Sequence, residues 1–191
     1  MSIQILVAQP EHAVYAAPIC ALMAESAKAR GTGIAKRKPA YLEEKIRSGK
    51  AVIALVDGEL GGFSYIETWS HGDYVANSGL IVNPRFRRLG LARKIKAAVF
   101  ALSREKYPDA RIFGITTSLA VMKINSGLGY TPVTFSELTQ DDAFWDGCKT
   151  CPNHDILERN ERHMCLCTAM MAPSANEAKR MAVDLSNLIS Q

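Results

Sequence analysis

Hydrophobic and polar positions alternate over residues 3–8, and this period of two predicts a half-buried strand. The period then lengthens. Val14, Ala17, Ala21, Met23 and Ala24 recur near helical spacing, predicting a helix over 10–30 that Pro18 bends. A second helix is predicted over 39–49, with Pro39 early and Gly49 at its end. Two apolar runs, 51–56 and 60–69, meet at Asp57-Gly58, a dipeptide suited to a tight hairpin turn. Strand 74–82 follows and stops at Pro84. Then come a helix over 91–104, a short apolar strand over 111–116, a helix over 119–128 closed by Gly129, and a strand over 130–135. A last amphipathic helix occupies 174–189, and there is no repeat or low-complexity linker.

The order is strand, two helices, three-strand meander, helix, strand, helix, strand, which is a mixed α/β pattern. With 191 residues, 48% hydrophobic and 22% charged, one soluble domain with a real core is expected. No apolar run reaches a membrane span, and residues 3–8 are too short and lack the basic flank of a secretion signal. The expectation is a cytoplasmic protein without a membrane partner.

Charge sharpens the picture. Residues 28–38 hold Lys28, Arg30, Lys36, Arg37 and Lys38 and no acid; residues 84–96 hold Arg85, Arg87, Arg88, Arg93, Lys94 and Lys96 and no acid. The net charge is only +4, so the rest of the chain is acidic. Two basic segments on an acidic background point to small anionic ligands. A nucleic-acid surface is more broadly basic, and no aromatics interleave these bases for stacking.

The second segment is the most informative. A strand ends at Pro84 and a helix opens at Leu91, with Arg87-Arg88-Leu89-Gly90-Leu91-Ala92-Arg93 between and into it. Gly90 lets a ligand approach the backbone, and the first helical amides lack internal partners and favour an anion. Pro-x-x-Arg-Arg-x-Gly-x-Ala in this setting resembles the acyl-CoA binding motif of the GCN5-related N-acetyltransferases, the GNAT superfamily, and the order of elements over residues 3–136 is similar to that family's. The resemblance implies a mixed, mostly antiparallel central sheet flanked by helices. It implies that Arg87, Arg88, Leu89, Gly90, Leu91, Ala92 and Arg93 hold the CoA pyrophosphate. It also implies that backbone amides around Leu80, Ile81 and Val82 hold the thioester carbonyl of acetyl-CoA or another acyl-CoA.

An amine attacking a thioester needs a base, an oxyanion site and a proton for the leaving thiolate. Glu67, late in strand 60–69, is the candidate base; the competing reading is a solvent-facing carboxylate. His71, in the following turn, is a weaker candidate, and Asn77 and Ser78 are polar positions in an apolar strand. Many family members place a Tyr four residues before the Gly-Phe that closes the second CoA helix. Here the closing pair is Gly129-Tyr130 and that position is Asn125, which can hydrogen-bond but cannot donate as an acid. Another group protonates the thiolate, or it leaves as the anion. Arg30, Lys36 and Arg37 suit the carboxylates of an acidic amine acceptor such as glutamate; the alternative is a solvated basic loop.

Cys148-x-x-Cys151 is followed by thirteen residues and then Cys165-x-Cys167. On a strand over 164–170 the latter pair shares a face, and four thiolates would close a structural zinc site, with His154 and His163 nearby. Buried free thiols or a redox pair are the alternatives. The chain is thus divided into a core at 1–138 and a cysteine-rich C-terminal extension at 139–191 packed on the same domain. Lys123-Ile124-Asn125-Ser126, residues 135–139 and the four cysteines resemble a bacterial GNAT group associated with arginine biosynthesis and considered N-acylglutamate synthases. That resemblance implies transfer of an acetyl or succinyl group to a small amino acid. Transfer to protein or another amine, a CoA-sensing module without catalysis, and a homodimer remain open alternatives.

Overall fold

A computed structural model describes residues 1–30 and 35–189. Seven strands form one sheet in the order β1-β2-β3-β4-β5-β7-β6. They are β1 (Ile3–Val7), β2 (Ala51–Val56), β3 (Glu59–Trp69), β4 (Tyr74–Val82), β5 (Arg111–Thr116), β6 (Thr131–Val133) and β7 (Thr168–Ala172). Every neighbouring pair is antiparallel except β4 and β5, which run parallel. The helices are α1 (Ala16–Arg30), α2 (Pro39–Arg47), α3 (Leu91–Lys106), α4 (Leu119–Ser126), α5 (Asp142–Asp146), α6 (His154–Arg159) and α7 (Ala175–Ile189).

Local chemistry explains most of these boundaries. Asp57 and Gly58 both take positive φ, 48° and 82°, as a two-residue hairpin turn requires. Pro39 opens α2 at a position whose N–H has no helical partner anyway. The predicted helix over 10–30 divides: Pro10–Tyr15 is a 3-10 turn, and the α-helix proper starts at Ala16. The strand expected over 164–170 begins only at Thr168.

β2 is buried along its whole length because both sheet faces are covered. On one face Ile19, Met23, Leu42 and Ile46 of α1 and α2 pack on Ile53, Phe63 and Tyr65. On the other, Leu91, Ile95, Val99 and Leu102 of α3 pack on Val52, Ala54, Ile66 and Val75. Each fully buried aliphatic side chain contributes about 1.5–3 kcal/mol. β7 comes from the cysteine-rich segment and lies between β5 and β6, so residues past 139 supply an interior strand of the same sheet.

Two features of β4 matter for function. Its pairing with β5 covers Tyr74–Ala76 against Arg111–Phe113 and then stops, while both strands continue. From Asn77 and Gly114 onward they part. Second, Ser78 pairs with Tyr65 and Ile81 with Phe63, leaving Gly79 and Leu80 as a bulge opposite Ser64. Gly79 has φ +64°, and a Cβ there would lie 2.3 Å from Tyr65 Cε1, so this position is restricted to glycine.

Candidate active site

Where β4 and β5 part, a cavity of about 420 Å³ opens. One wall is β4 from Asn77 to Ile81; the other is Gly114 to Thr117 at the end of β5. Gly79 and Leu80 leave the ladder with β3 and border the gap. The expected Leu80 and Ile81 therefore line the cavity, and Val82 follows at the strand's end, paired to Gly62.

At that end the chain turns into a cationic loop. Asn83 pins it, donating from Nδ2 to the Leu60 carbonyl at 2.9 Å and accepting from the Arg85 amide at 3.1 Å. Arg88 and Gly90 take left-handed conformations, with φ 69° and 71°, and Gly90 caps α3. A left-handed arginine is uncommon and marks a loop shaped for something other than local comfort. Arg87, Arg88 and Arg93 are exposed, while Leu91 is buried and anchors the helix start. Arg85 is held by Glu59 at 2.5 Å. The arrangement offers helix amides and free guanidinium groups to an anion.

At the closed end of the gap, on the β4 side, Glu67 of β3 pairs with Ala76 next to the point where the strands part, and it lines the cavity. The Tyr41 hydroxyl of α2 donates to its carboxylate. Burial and the Glu67 charge push the Tyr41 pKa well up, so this phenol stays a donor. Tyr65, fully buried, is pushed up likewise, first by burial and then by Glu67. Arg37 Nε donates to the Tyr65 hydroxyl at 2.8 Å. Burial opposes the Arg37 charge, but Tyr65, Glu67 and Tyr41 outweigh it and raise its pKa. Two donors on the cavity wall, Trp69 Nε1 and Asn153 Nδ2, are buried without a hydrogen-bond partner, as is the acceptor Asn125 Oδ1. Buried polar atoms left this way normally have a ligand or water to satisfy.

The residues expected to act together are only partly gathered. Arg37, Glu67 and Asn125 line one cavity. Lys36 is exposed, with its amide donating to Thr150 Oγ1 at 3.0 Å, and His71 is exposed in the turn after β3. The side chain of Arg30 lies outside the described residues. Tyr41 and Tyr65 are not singled out in the sequence, and Lys96 is counted there only among the bases of residues 84–96. A signal is there for Lys96: it is a lysine on the helix stretch whose neighbours Ile95 and Val99 are core.

The zinc expectation needs correction. Among the described residues no group of three or more His, Cys, Asp or Glu side chains is arranged to hold a metal ion. The physical reason begins with the late start of β7, which puts Cys165 and Cys167 on the preceding loop rather than on one strand face. Cys165 Sγ points to the Asn153 carbonyl at 3.8 Å, and Cys151 Sγ accepts from the Asn153 amide at 3.5 Å. All four thiols are free and border the cavity. Burial, then the neighbouring sulfurs, pushes Cys148 up to about 11 and Cys167 up to about 12.

A parted parallel strand pair leading to a cationic helix start, with a carboxylate at the point where the strands part, is an arrangement suited to an anionic ligand. Residues 21–120 match the Acetyltransferase (GNAT) family, and the chain belongs to that family. The fold is similar to N-acetylglutamate synthase from Neisseria gonorrhoeae complexed with coenzyme A and N-acetyl-glutamate (TM-score 0.65, 19% identity). That similarity covers 91% of this chain but only 35% of the synthase, so the chain spans about a third of that protein's length. It is also similar to Rv2747 from Mycobacterium tuberculosis in complex with CoA and NLQ (TM-score 0.61, 14% identity, 89% of this chain and 98% of that one). A third similar structure is the ribosomal-protein-S18-alanine N-acetyltransferase from Escherichia coli (TM-score 0.58, 11% identity, 91% and 95%). No curated protein matches the sequence. Among the described residues no helix is long and apolar enough to cross a membrane.

Proposed function

We propose that the protein transfers an acetyl or succinyl group from CoA to the amine of a small acidic amino acid such as glutamate, by direct attack in a ternary complex. The observation that carries this reading is Arg37, a largely buried guanidinium on the cavity wall, bonded to the Tyr65 hydroxyl and within the field of Glu67. With the unpartnered donors Trp69 Nε1 and Asn153 Nδ2 it makes a wall that favours carboxylates. The N-acetyl-glutamate bound in the Neisseria synthase complex supports that chemistry, and with it a proposed place in arginine biosynthesis.

In this mechanism the amides of Leu89, Gly90, Leu91 and Ala92, with Arg87, Arg88 and Arg93, hold the CoA pyrophosphate. The pantetheine lies in the gap between β4 and β5. The bulge amides near Leu80 and Ile81 take the thioester oxygen and stabilise the oxyanion. Glu67, oriented by Tyr41, removes the proton from the substrate ammonium, directly or through water. Arg37 fixes the acceptor carboxylate, so that the amine faces the carbonyl carbon. Asn125 Oδ1 hydrogen-bonds the pantetheine amide.

The test is thiol release from acetyl-CoA and succinyl-CoA against glutamate, ornithine and arginine. Turnover with glutamate is expected, and Arg37→Ala should raise the glutamate KM at least about tenfold while leaving the acyl-CoA KM nearly unchanged. Turnover with basic amino acids but not glutamate would overturn the acceptor assignment. So would equal effects of Arg37→Ala on both Michaelis constants.

A further inference from the structure

Lys96 is a charge with no evident reason to be where it is. It projects from α3 beneath the sheet, 2% exposed, and lines the cavity with Asn77, Ser78 and Asn125. Asn77 is the β4 residue at which the strands part, so Lys96 sits at the narrow end of the gap. Its Nζ lies 3.4 Å from Asn77 Oδ1 and 5.1 Å from the centre of the Tyr130 ring. A buried ammonium is strongly disfavoured unless something compensates for the lost water. Among the described residues no carboxylate does so: burial alone pushes the Lys96 pKa down to about 7. The titratable side chain facing it is Tyr130, whose proton is committed to Asn77 Oδ1 at 2.9 Å and whose own pKa burial pushes up. The remaining neighbours are neutral: Asn77 Nδ2 donates to Ser103 Oγ at 2.8 Å, and Ser103 Oγ donates to the Val99 carbonyl at 2.8 Å. The polar network is therefore closed except on the side of Lys96 that faces the cavity.

We propose that Lys96 is the acid that protonates the coenzyme A sulfur as the thioester breaks. The inference rests on the reading that the pantetheine fills the gap between β4 and β5, which brings the sulfur to its narrow end. The amine nitrogen forms a bond to the carbonyl carbon, the C–S bond breaks, and its electron pair goes to sulfur. The Lys96 ammonium gives a proton to that sulfur and becomes the neutral amine. The protons lost by the acceptor nitrogen pass to Glu67 and water, and Lys96 regains one from solvent once CoA leaves. A group near neutrality suits the task, because it is charged when needed and gives up its proton readily. Tyr41 cannot substitute, since its proton is spent on Glu67, and Asn125 has no acidic proton.

The experiment is the pH profile of thiol release with an amine the wild type acylates, with Lys96→Met and Lys96→Arg beside it. The wild-type kcat should fall as pH rises through the Lys96 titration, because the neutral amine has no proton to give, and Lys96→Met should lack that fall. The same alkaline fall in wild type and Lys96→Met would overturn the proposal. Far-ultraviolet circular dichroism reports that each variant folds, since Lys96 lies on α3 one turn past Arg93. In turnover, Lys96→Met should lower kcat about 10²-fold with little change in acetyl-CoA KM. Lys96→Arg keeps a charge but holds its proton, so full activity in that variant would overturn the acid role. A wild type that binds CoA but ignores glutamate removes only the acceptor assignment, and the pH profile with another amine still decides on Lys96; one that acylates no amine removes the reaction and this proposal with it. A wild type that binds no CoA removes the reading of the gap and this proposal with it.

Discussion

Gly79→Ala should be far more damaging than its small size suggests. Gly79 sits at φ +64°, where an L-residue costs about 1–2 kcal/mol. The added Cβ would lie 2.3 Å from Tyr65 Cε1, 2.8 Å from Tyr65 Cδ1 and 2.9 Å from Met23 Cε. Met23 can swing its terminal methyl aside. Tyr65 cannot move, because its hydroxyl is tied to Arg37 and its ring stands edge-on to Tyr41 at 5.9 Å and tilted on Phe63 at 6.0 Å. Forcing an atom against such a ring costs a further about 1–3 kcal/mol. The total is about 2–5 kcal/mol. Gly72 gives the control: its φ is +100° but nothing lies within 4 Å of the place a methyl would take, so Gly72→Ala carries the backbone cost alone. Urea unfolding of both variants measures the two losses from their midpoints at unchanged slope. Equal losses would refute the argument that Tyr65 is what makes position 79 a glycine. A shifted Tyr65 also drags Arg37, so Gly79→Ala should raise the glutamate KM in the protein that remains folded.

Glu67→Gln should lower kcat about 10²-fold or more while the CoA dissociation constant stays put; a kcat within about twofold of wild type would remove Glu67 from the mechanism. Arg87→Ala and Arg88→Ala should each weaken CoA binding several-fold at low salt and by less at high salt, as exposed ionic contacts do; salt-independent losses would argue for another role. Lys96 links stability to pH. Its folded pKa of about 7 lies below the unfolded value near 10.5, so between those limits the unfolded chain binds the extra proton and stability rises with pH. Relative to Lys96→Met, the wild type should gain on the order of 5 kcal/mol across that window. Parallel stability curves for the two proteins would contradict the burial of a titrating amine.

The parts of this fold that were legible in the sequence are those set by contacts close along the chain. Asp57-Gly58 dictates its own turn, Pro84 ends β4, and Gly90 begins α3, because each acts through its own backbone dihedrals. What could not be read depends on which strands become neighbours. β7 inserts between β5 and β6 although β6 precedes it in the chain, and that order follows from tertiary packing of Ala169 and Met170, not from any local pattern. The thiols show the consequence: with β7 starting at Thr168 instead of 164, the inference that Cys165 and Cys167 share a strand face had no strand to stand on. The site divides in the same way. The cationic loop from Arg87 to Arg93 is contiguous and stands out in the sequence, whereas the groups around the closed end of the gap are assembled from α2, β3, β4 and α3. Tyr41 and Lys96 look like ordinary helix residues until the sheet places one against Glu67 and the other under Asn77. Lys96 did leave a trace, a lysine within a run where α3 turns its apolar side to the sheet. A buried cation is costly unless an anion comes to meet it, and in the proposed reaction the anion that forms at the narrow end of the gap is the thiolate.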